Sequence, residues 1–405
     1  MLTQHWLFIS ELGDNYGHIA PALYIANSLA QRGAKITFIV PSLTRFYALA
    51  TMACEFNVYQ APLNIFRKTK ANALPQSYSE SLLLHGYSQP EALSVAIKAW
   101  RMLFSQLQPD ITFFDYAPTA LLAARAFSFK KVMFGNGYCV PPQRCARLPL
   151  LGRIATPERM NLADQQVLAA VNIALNNNHD KPLTSLDEIA ASDLQLLKTT
   201  PEFDGYRERR TTEKYLGFLP VGGGHKQAQW PKVAGKKKVF AYLSTRFPFA
   251  QVLIQWLQAN FIGHVFVTGN KAQELTALSN ATFTVTAQAY DMATVLEGCD
   301  FVVCHAGSGT VARSLLAARP VICIPLQSEQ QQTAEQAAAL GVGAFIPPAS
   351  TWEQWLPAIQ QALTTQLPAL QKSCLDFLPR YYNEYAVQDP CEHALQLCLA
   401  LLNQR

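Results

Sequence analysis

Three junctions where an apolar run gives way to a helical one carry side chains able to move protons or hold anions. The strongest is Phe301-Val302-Val303-Cys304-His305-Ala306-Gly307-Ser308-Gly309-Thr310, a buried strand leading through a small-residue turn into a helix. Gly307 and Gly309 let a ligand approach the backbone closely, and free amides at a helix start favour an anion such as a diphosphate. His305, Ser308 and Thr310 add hydrogen-bond donors. Downstream, Pro325-Leu326-Gln327-Ser328-Glu329-Gln330 again follows an expected strand, and a carboxylate beside an amide there suits vicinal hydroxyls. In the N-terminal half, Gly13-Asp14-Asn15-Tyr16-Gly17-His18-Ile19-Ala20-Pro21 opens a helix after the first strand. An imidazole titrates near ~6.5, so His18 is a candidate general base. Asp115, at the end of another expected strand of the same sheet, is placed to fix its tautomer and stabilise the imidazolium.

Each stretch has a plainer reading. The turn around Ser308 superficially resembles a hydrolase nucleophile elbow, but Ala306 and Thr310 occupy the two positions where the elbow needs glycine. Gly307-x-Gly309 lacks the third glycine of a dinucleotide fingerprint, since Arg313 and Ser314 flank that slot. Ser328 with Gln331 forms a capping box on paper, and a lone histidine such as His18 is more often structural.

The elements that must position these groups alternate between strand and helix, twice over. Trp6 to Ser10, a helix over Ala20 to Gln31 and Lys35 to Val40 make a βαβ unit, hence a parallel sheet with right-handed crossovers. Strands at Asn57 to Ala61, Ile111 to Asp115, Lys131 to Gly135 and Leu194 to Thr199 extend it, with a helix at Pro90 to Leu107 and a long loop from Tyr138 to Pro157. Leu219 to Lys238, rich in Gly, Pro and Lys, separates this half from a second one. There Val239 to Ser244, His264 to Thr268, Phe301 to Cys304 and Val321 to Ile324 are strands, and Phe249 to Asn260, Met292 to Glu297, Thr310 to Ala318 and Gln330 to Leu340 are helices. The fold class is therefore α/β, with two successive doubly wound, Rossmann-like domains. Ligands of such sheets bind at the carboxyl ends of the strands, and two facing domains form a cleft there.

Composition narrows the function. The 405 residues carry 33 Lys+Arg against 28 Asp+Glu, for a net +5, and are half hydrophobic, which excludes disorder. Only 15% are charged, against ~25% in typical soluble chains; 31 glutamines fill part of that gap, and an apolar acceptor groove or membrane-contacting face is the sharper explanation. No apolar run approaches the ~20 residues that cross a bilayer, and the start lacks the basic segment of a signal peptide. Nine scattered cysteines without Cys-x-x-Cys or ligand spacing imply a reduced, cytoplasmic protein with no structural metal. Arg207, Arg209, Arg210 and Lys236 to Lys238 read as a solvated basic face, with anionic lipid as the competing partner, and nothing pairs a basic stripe with stacking aromatics, so nucleic acid is not expected.

Taken together, Gly17-His18-Ile19-Ala20-Pro21 with Leu29 to Gly33, and the block Cys304 to Gly343 including Arg319-Pro320-Val321, Pro325, Glu329-Gln330 and Leu340-Gly341-Val342-Gly343, resemble glycosyltransferase family 1 of the bacterial, UDP-glycosyltransferase-like type. The resemblance implies a GT-B fold, two Rossmann-like domains with parallel sheets facing across a cleft. It divides the chain into residues 1–218 for the acceptor, 219–238 as linker, 239–375 for the nucleotide sugar, and a helical segment 376–405, with Cys391 to Leu402 at its end, packing back across the junction. It implies an inverting, metal-independent hexosyltransferase that needs no cofactor beyond its co-substrate, a UDP- or dTDP-sugar, and acts on a small or lipophilic acceptor. His18 matches the base and Asp115 its acidic partner. His305 matches the histidine that contacts the diphosphate, Gly307, Ser308, Gly309 and Thr310 the phosphate turn, and Glu329 and Gln330 the pair that holds sugar hydroxyls. Ser244 and Thr245, where the family has a small Ser/Gly run, and Met292, near its Pro-Gln pair, depart from the pattern at the donor site. His85, Tyr87, Tyr116 and Tyr138 are assigned to the acceptor side. A non-catalytic nucleotide-sugar-binding or helper protein is the alternative, with a serine hydrolase through Ser308 behind it; oligomeric state and peripheral membrane contact stay open.

Overall fold

The computed structural model describes residues 2–13, 16–49, 56–62, 75–150, 155–219, 224–233, 235–385 and 388–404. Of the stretches named above, Asp14 and Asn15, Leu151 to Ile154, Pro220 to Gly223, Ala234, and Ala386 and Val387 lie outside these. The chain divides into two compact units, Met1–Leu219 with Gln388–Arg405, and Pro220–Val387.

The first unit is built on a seven-stranded sheet of order β3-β2-β1-β4-β5-β6-β7. Its strands are β1 (His5–Ser10), β2 (Lys35–Val40), β3 (Asn57–Gln60), β4 (Ile111–Asp115), β5 (Lys130–Gly135), β6 (Leu194–Leu197) and β7 (Lys214–Tyr215). All pairings are parallel, and all residues of β1 and β4 are buried. That explains their unbroken apolar runs: a parallel strand covered on both faces has no water-facing side to make polar. The helices are α1 (Tyr16–Gln31), α2 (Leu43–Leu49), α3 (Tyr78–Leu84), α4 (Pro90–Leu107), α5 (Pro118–Ala124) and α6 (Pro157–Asn176). In α4, Pro90 occupies the first turn, Leu93, Ile97, Trp100 and Phe104 form the buried stripe, and Gln108 ends the helix in the left-handed region.

The second unit repeats the plan in a six-stranded parallel sheet of order β10-β9-β8-β11-β12-β13. Its strands are β8 (Lys238–Ser244), β9 (Ile262–Thr268), β10 (Phe283–Thr286), β11 (Phe301–Cys304), β12 (Val321–Cys323) and β13 (Gly343–Phe345). Helices α7 (Ala250–Asn260), α8 (Ala272–Leu275), α9 (Met292–Gly298), α10 (Ser308–Leu316), α11 (Ser328–Ala339), α12 (Trp352–Gln361) and α13 (Leu367–Tyr385) accompany them. Val239, Ala241, Val265, Val267 and Val303 of the sheet share one core with Leu253, Leu257, Trp355 and Ile359. The chain then rejoins the first unit through α14 (Pro390–Asn403), which lies on α1 and β6. Arg32 and Glu392 pair there, and the Tyr24 hydroxyl donates to Asp389 at 3.0 Å.

Several boundaries differ from the sequence expectation in ways that matter. Helix α1 begins at Tyr16 rather than Ala20, which puts His18 in its first turn. Strand β6 stops at Leu197 rather than Thr199, so Lys198 leaves the sheet. At α11 the cap residue is Gln327 and Ser328 is already helical; the capping box does not form, and Gln331 Nε2 donates to Glu335 instead, at 2.8 Å. Arg210 is no part of a solvated basic face: its guanidinium is buried against Asp204 and donates to the carbonyls of Gly137 and Val140, while Arg207 and Arg209 are exposed.

Candidate active site

In each sheet the strand order reverses beside the first strand of the unit, between β1 and β4 and between β8 and β11. Loops leaving the carboxyl ends of two such strands diverge to opposite faces and open a crevice. Both candidate clusters emerge there.

In the first unit, Ser10 pairs in register with Asp115, so the ends of β1 and β4 are level. His18 turns back from α1, and its Nδ1 lies 2.9 Å from Asp115 Oδ1, both side chains being nearly buried. A carboxylate can only accept, so Nδ1–H donates and Nε2 is left as the proton acceptor. A second group holds the same carboxylate. Lys198 Nζ donates to Asp115 Oδ2 at 3.1 Å and to the Gly17 carbonyl at 2.9 Å. Burial alone would push the Asp115 carboxyl up, but the charges of His18 and Lys198 and their hydrogen bonds outweigh it and hold it below the usual carboxylate range. Cys139 lies within ligand distance of His18 and Asp115, all three donor atoms falling within 4.8 Å of one another. The ammonium of Lys198 already occupies one oxygen of this carboxylate and His18 the other.

The backbone is shaped around the imidazole. A Cβ on Gly13 would stand 2.3 Å from His18 Nε2, so only glycine fits over the ring. Tyr116 holds a left-handed backbone, φ 49°, directly after Asp115, a conformation that costs a non-glycine residue of order 1 kcal/mol or more. Its carbonyl accepts from Leu12 N at 3.0 Å, and its ring lies parallel to His18 at 6.4 Å. Tyr116, Tyr78, Phe114, Met133 and Pro141 line an apolar pocket of about 10 Å³, room for one water. His85 and Tyr138 pack edge-on against the Tyr116 ring. Tyr87 does not join them: it is fully buried with its hydroxyl 2.9 Å from Thr119, so it belongs to the core rather than to an acceptor surface. Glu11, which the sequence reading passed over, accepts from the Thr119 and Ala120 amides, and burial pushes its carboxyl up to about 7.

In the second unit, Ser244 ends β8 and His305 follows β11. The His305 ring acts as a strut between strands. Nδ1–H donates to the Ile324 carbonyl and Nε2 accepts from the Ser244 amide, each at 2.8 Å. Burial brings its pKa down to about 4, against the opposing Ile324 bond, so the ring is neutral at pH 7. With both nitrogens committed to backbone, His305 presents no ring N–H to a diphosphate here, in contrast to the donor contact expected from the sequence. The turn it supports does offer backbone. Ala306 takes the left-handed conformation, φ 57°, and Gly307 caps α10 without a side-chain hydrogen bond. A Cβ on Gly307 or Gly309 would meet nothing within 4 Å, so the space over the first turn of α10, where Ser308 and Thr310 also lie, is open. Thr245 N donates to Thr268 O, holding the end of β8 to β9. Met292 opens α9 behind Asp291, whose carboxylate caps the amides of Ala293 and Thr294. Glu329 stands in the first turn of α11, and the Gln330 side chain accepts from Leu326 N at 2.8 Å, fixing the loop that precedes it.

Two parallel, doubly wound sheets with loop clusters at their switch points define the GT-B class of fold. Comparison with known proteins carries this further. Residues 249–373 match the model of the glycosyltransferase family 28 C-terminal domain. The chain is similar to the NDP-glycosyltransferase YjiC of Bacillus subtilis (strain 168), 21% identical over 88% of each chain. It also resembles UDP-glucosyl transferase 79L3 of Saponaria officinalis, 30% identical over 29% of this chain and 28% of that one. Among solved structures, spinosyn rhamnosyltransferase SpnG aligns with a TM-score of 0.69 at 15% identity, over 99% of this chain and all of its own. The glycosyltransferase VinC in complex with DTDP gives the same score, identity and coverage. The protein is a glycosyltransferase of GT-B fold. No helix among the described residues is long and apolar enough to cross a membrane.

Proposed function

We propose that the protein transfers a sugar from a nucleoside diphosphate sugar to a hydroxyl of a small or lipophilic acceptor, inverting the anomeric carbon and using no metal. The observation that carries this reading is the His18–Asp115 pair at 2.9 Å. Its tautomer leaves Nε2 to take the proton of the acceptor oxygen, and Asp115 stabilises the imidazolium that results. A base that deprotonates the acceptor for direct attack implies a single displacement from the face opposite the leaving diphosphate, hence inversion. Charge grows on the leaving phosphates as the bond breaks. The open first turn of α10 offers backbone amides and a helix dipole to that charge, and their stabilisation increases along the reaction. His305 serves by holding the ends of β8 and β12 beside that turn. Uridine and thymidine diphosphate sugars are the first donors to try, given the names of the relatives.

The stereochemistry tests this reading. With a donor of defined anomeric configuration, the proton coupling constant of the product's anomeric centre should report the opposite configuration, with the rate unchanged by a chelator. A retained configuration would contradict a single displacement driven by His18.

A further inference from the structure

Lys198 places a nearly buried cation on the His18–Asp115 pair, one that glycosyl transfer by a histidine and an aspartate does not call for. We propose that Lys198 is a positioning residue for the His18–Asp115 pair: it holds the carboxylate turned toward His18 and, by sharing that carboxylate's charge, weighs against protonation of the imidazole. The inference rests on the reading of His18 as the base.

Three observations converge on it. Lys198 reaches from the end of β6 across β5 to the end of β4, where Nζ takes Asp115 Oδ2 and leaves Oδ1 for His18. Its second partner, the Gly17 carbonyl, would ordinarily accept from the amide four residues on, but that residue is Pro21, which has no N–H. Pro21 cannot donate to that carbonyl, and the ammonium does. The same Nζ lies 5.3 Å over the Phe134 ring, and only 7% of the side chain is exposed, so water cannot replace it cheaply. One ammonium therefore ties the turn bearing the base to the carboxylate that orients it.

The sign of its electrostatic effect is fixed. Among the described residues, the titratable groups placed at the imidazole are Asp115 at the end of β4, Tyr116 after it, Cys139 after β5 and, through Asp115, Lys198 after β6. Asp115 favours an imidazolium. Lys198 opposes it, directly by like charge and indirectly by engaging the carboxylate.

The test is a titration of the His18 ring resonances, identified by their loss in His18→Gln, in wild type, Lys198→Gln and Lys198→Arg. Removing the charge should move the midpoint up, and the acid limb of kcat/KM should move with it. Lys198→Arg, which keeps the charge, should hold both near wild type. A folded Lys198→Gln protein with an unmoved midpoint overturns the inference, as does a loss of rate at every pH without a shift, which is what a merely structural residue would give. Where the glutamine variant does not fold, the decision passes to Lys198→Arg: a wild-type fold with a displaced midpoint or lost transfer refutes the proposal, and wild-type behaviour supports it. The ring titration needs no turnover. A shifted midpoint in a protein that transfers no sugar would sink the enzymatic reading while leaving this charge coupling in place.

Discussion

At the scale of single residues, burial sets two titrations that act oppositely on stability. Glu11 has its pKa raised to about 7, so the stability it contributes is complete below its unfolded value near 4.5 and is lost as pH rises through 7. His305 has its pKa lowered to about 4, so stability is complete above its unfolded value near 6.5 and falls as pH drops toward 4. Because the windows overlap, the two contributions oppose one another between pH 4.5 and 6.5, and each should surface more fully in a variant that removes the other. Thermal unfolding of Glu11→Gln should show stability rising with pH across that window. His305→Asn should be destabilised at pH 7, having lost both backbone bonds, yet lose no more on acidification. Position along the chain was the part most legible in the sequence: Asp115 ends β4, His305 follows β11 and His18 opens the helix after β1, as their motifs implied. Orientation was not legible. The engagement of both His305 nitrogens, the burial of Tyr87 and the reach of Lys198 depend on side-chain directions across neighbouring strands, which no one-dimensional spacing encodes.

Elements position these groups through their ends. Asp291 caps α9 with bonds of 2.8 and 3.1 Å to the Ala293 and Thr294 amides, at the sheet edge where the donor is proposed to bind. Asp291→Ala should therefore cost about 1 kcal/mol of stability in chemical denaturation, the ordinary worth of such a cap, and weaken nucleoside diphosphate binding. An unchanged midpoint would mean that α9 is held by packing alone. The long strands and most helices followed from apolar runs and their period. Strands β7 and β13 did not, because two or three residues are too few to establish alternation, and β10 is only four residues long. Helix α1 begins at Tyr16, earlier than expected, so Pro21 is not near its start. It sits instead one turn in, where the missing N–H is compensated by Lys198.

For the whole molecule, the proposed base and the proposed phosphate turn lie in different units, and the chain returns to the first unit through α14, with Cys391, Ala394, Leu395, Cys398 and Leu401 buried. This separation makes the central claim divisible by experiment. Release of nucleoside diphosphate should be followed for wild type and His18→Ala with a uridine or thymidine diphosphate sugar and a hydroxyl acceptor, with nucleoside diphosphate affinity measured in parallel by calorimetry. The account predicts acceptor-dependent release in wild type, a loss of roughly a thousandfold or more in the variant, at the upper part of what general base catalysis contributes, and an affinity within a few fold of wild type. Wild-type turnover in His18→Ala would contradict it.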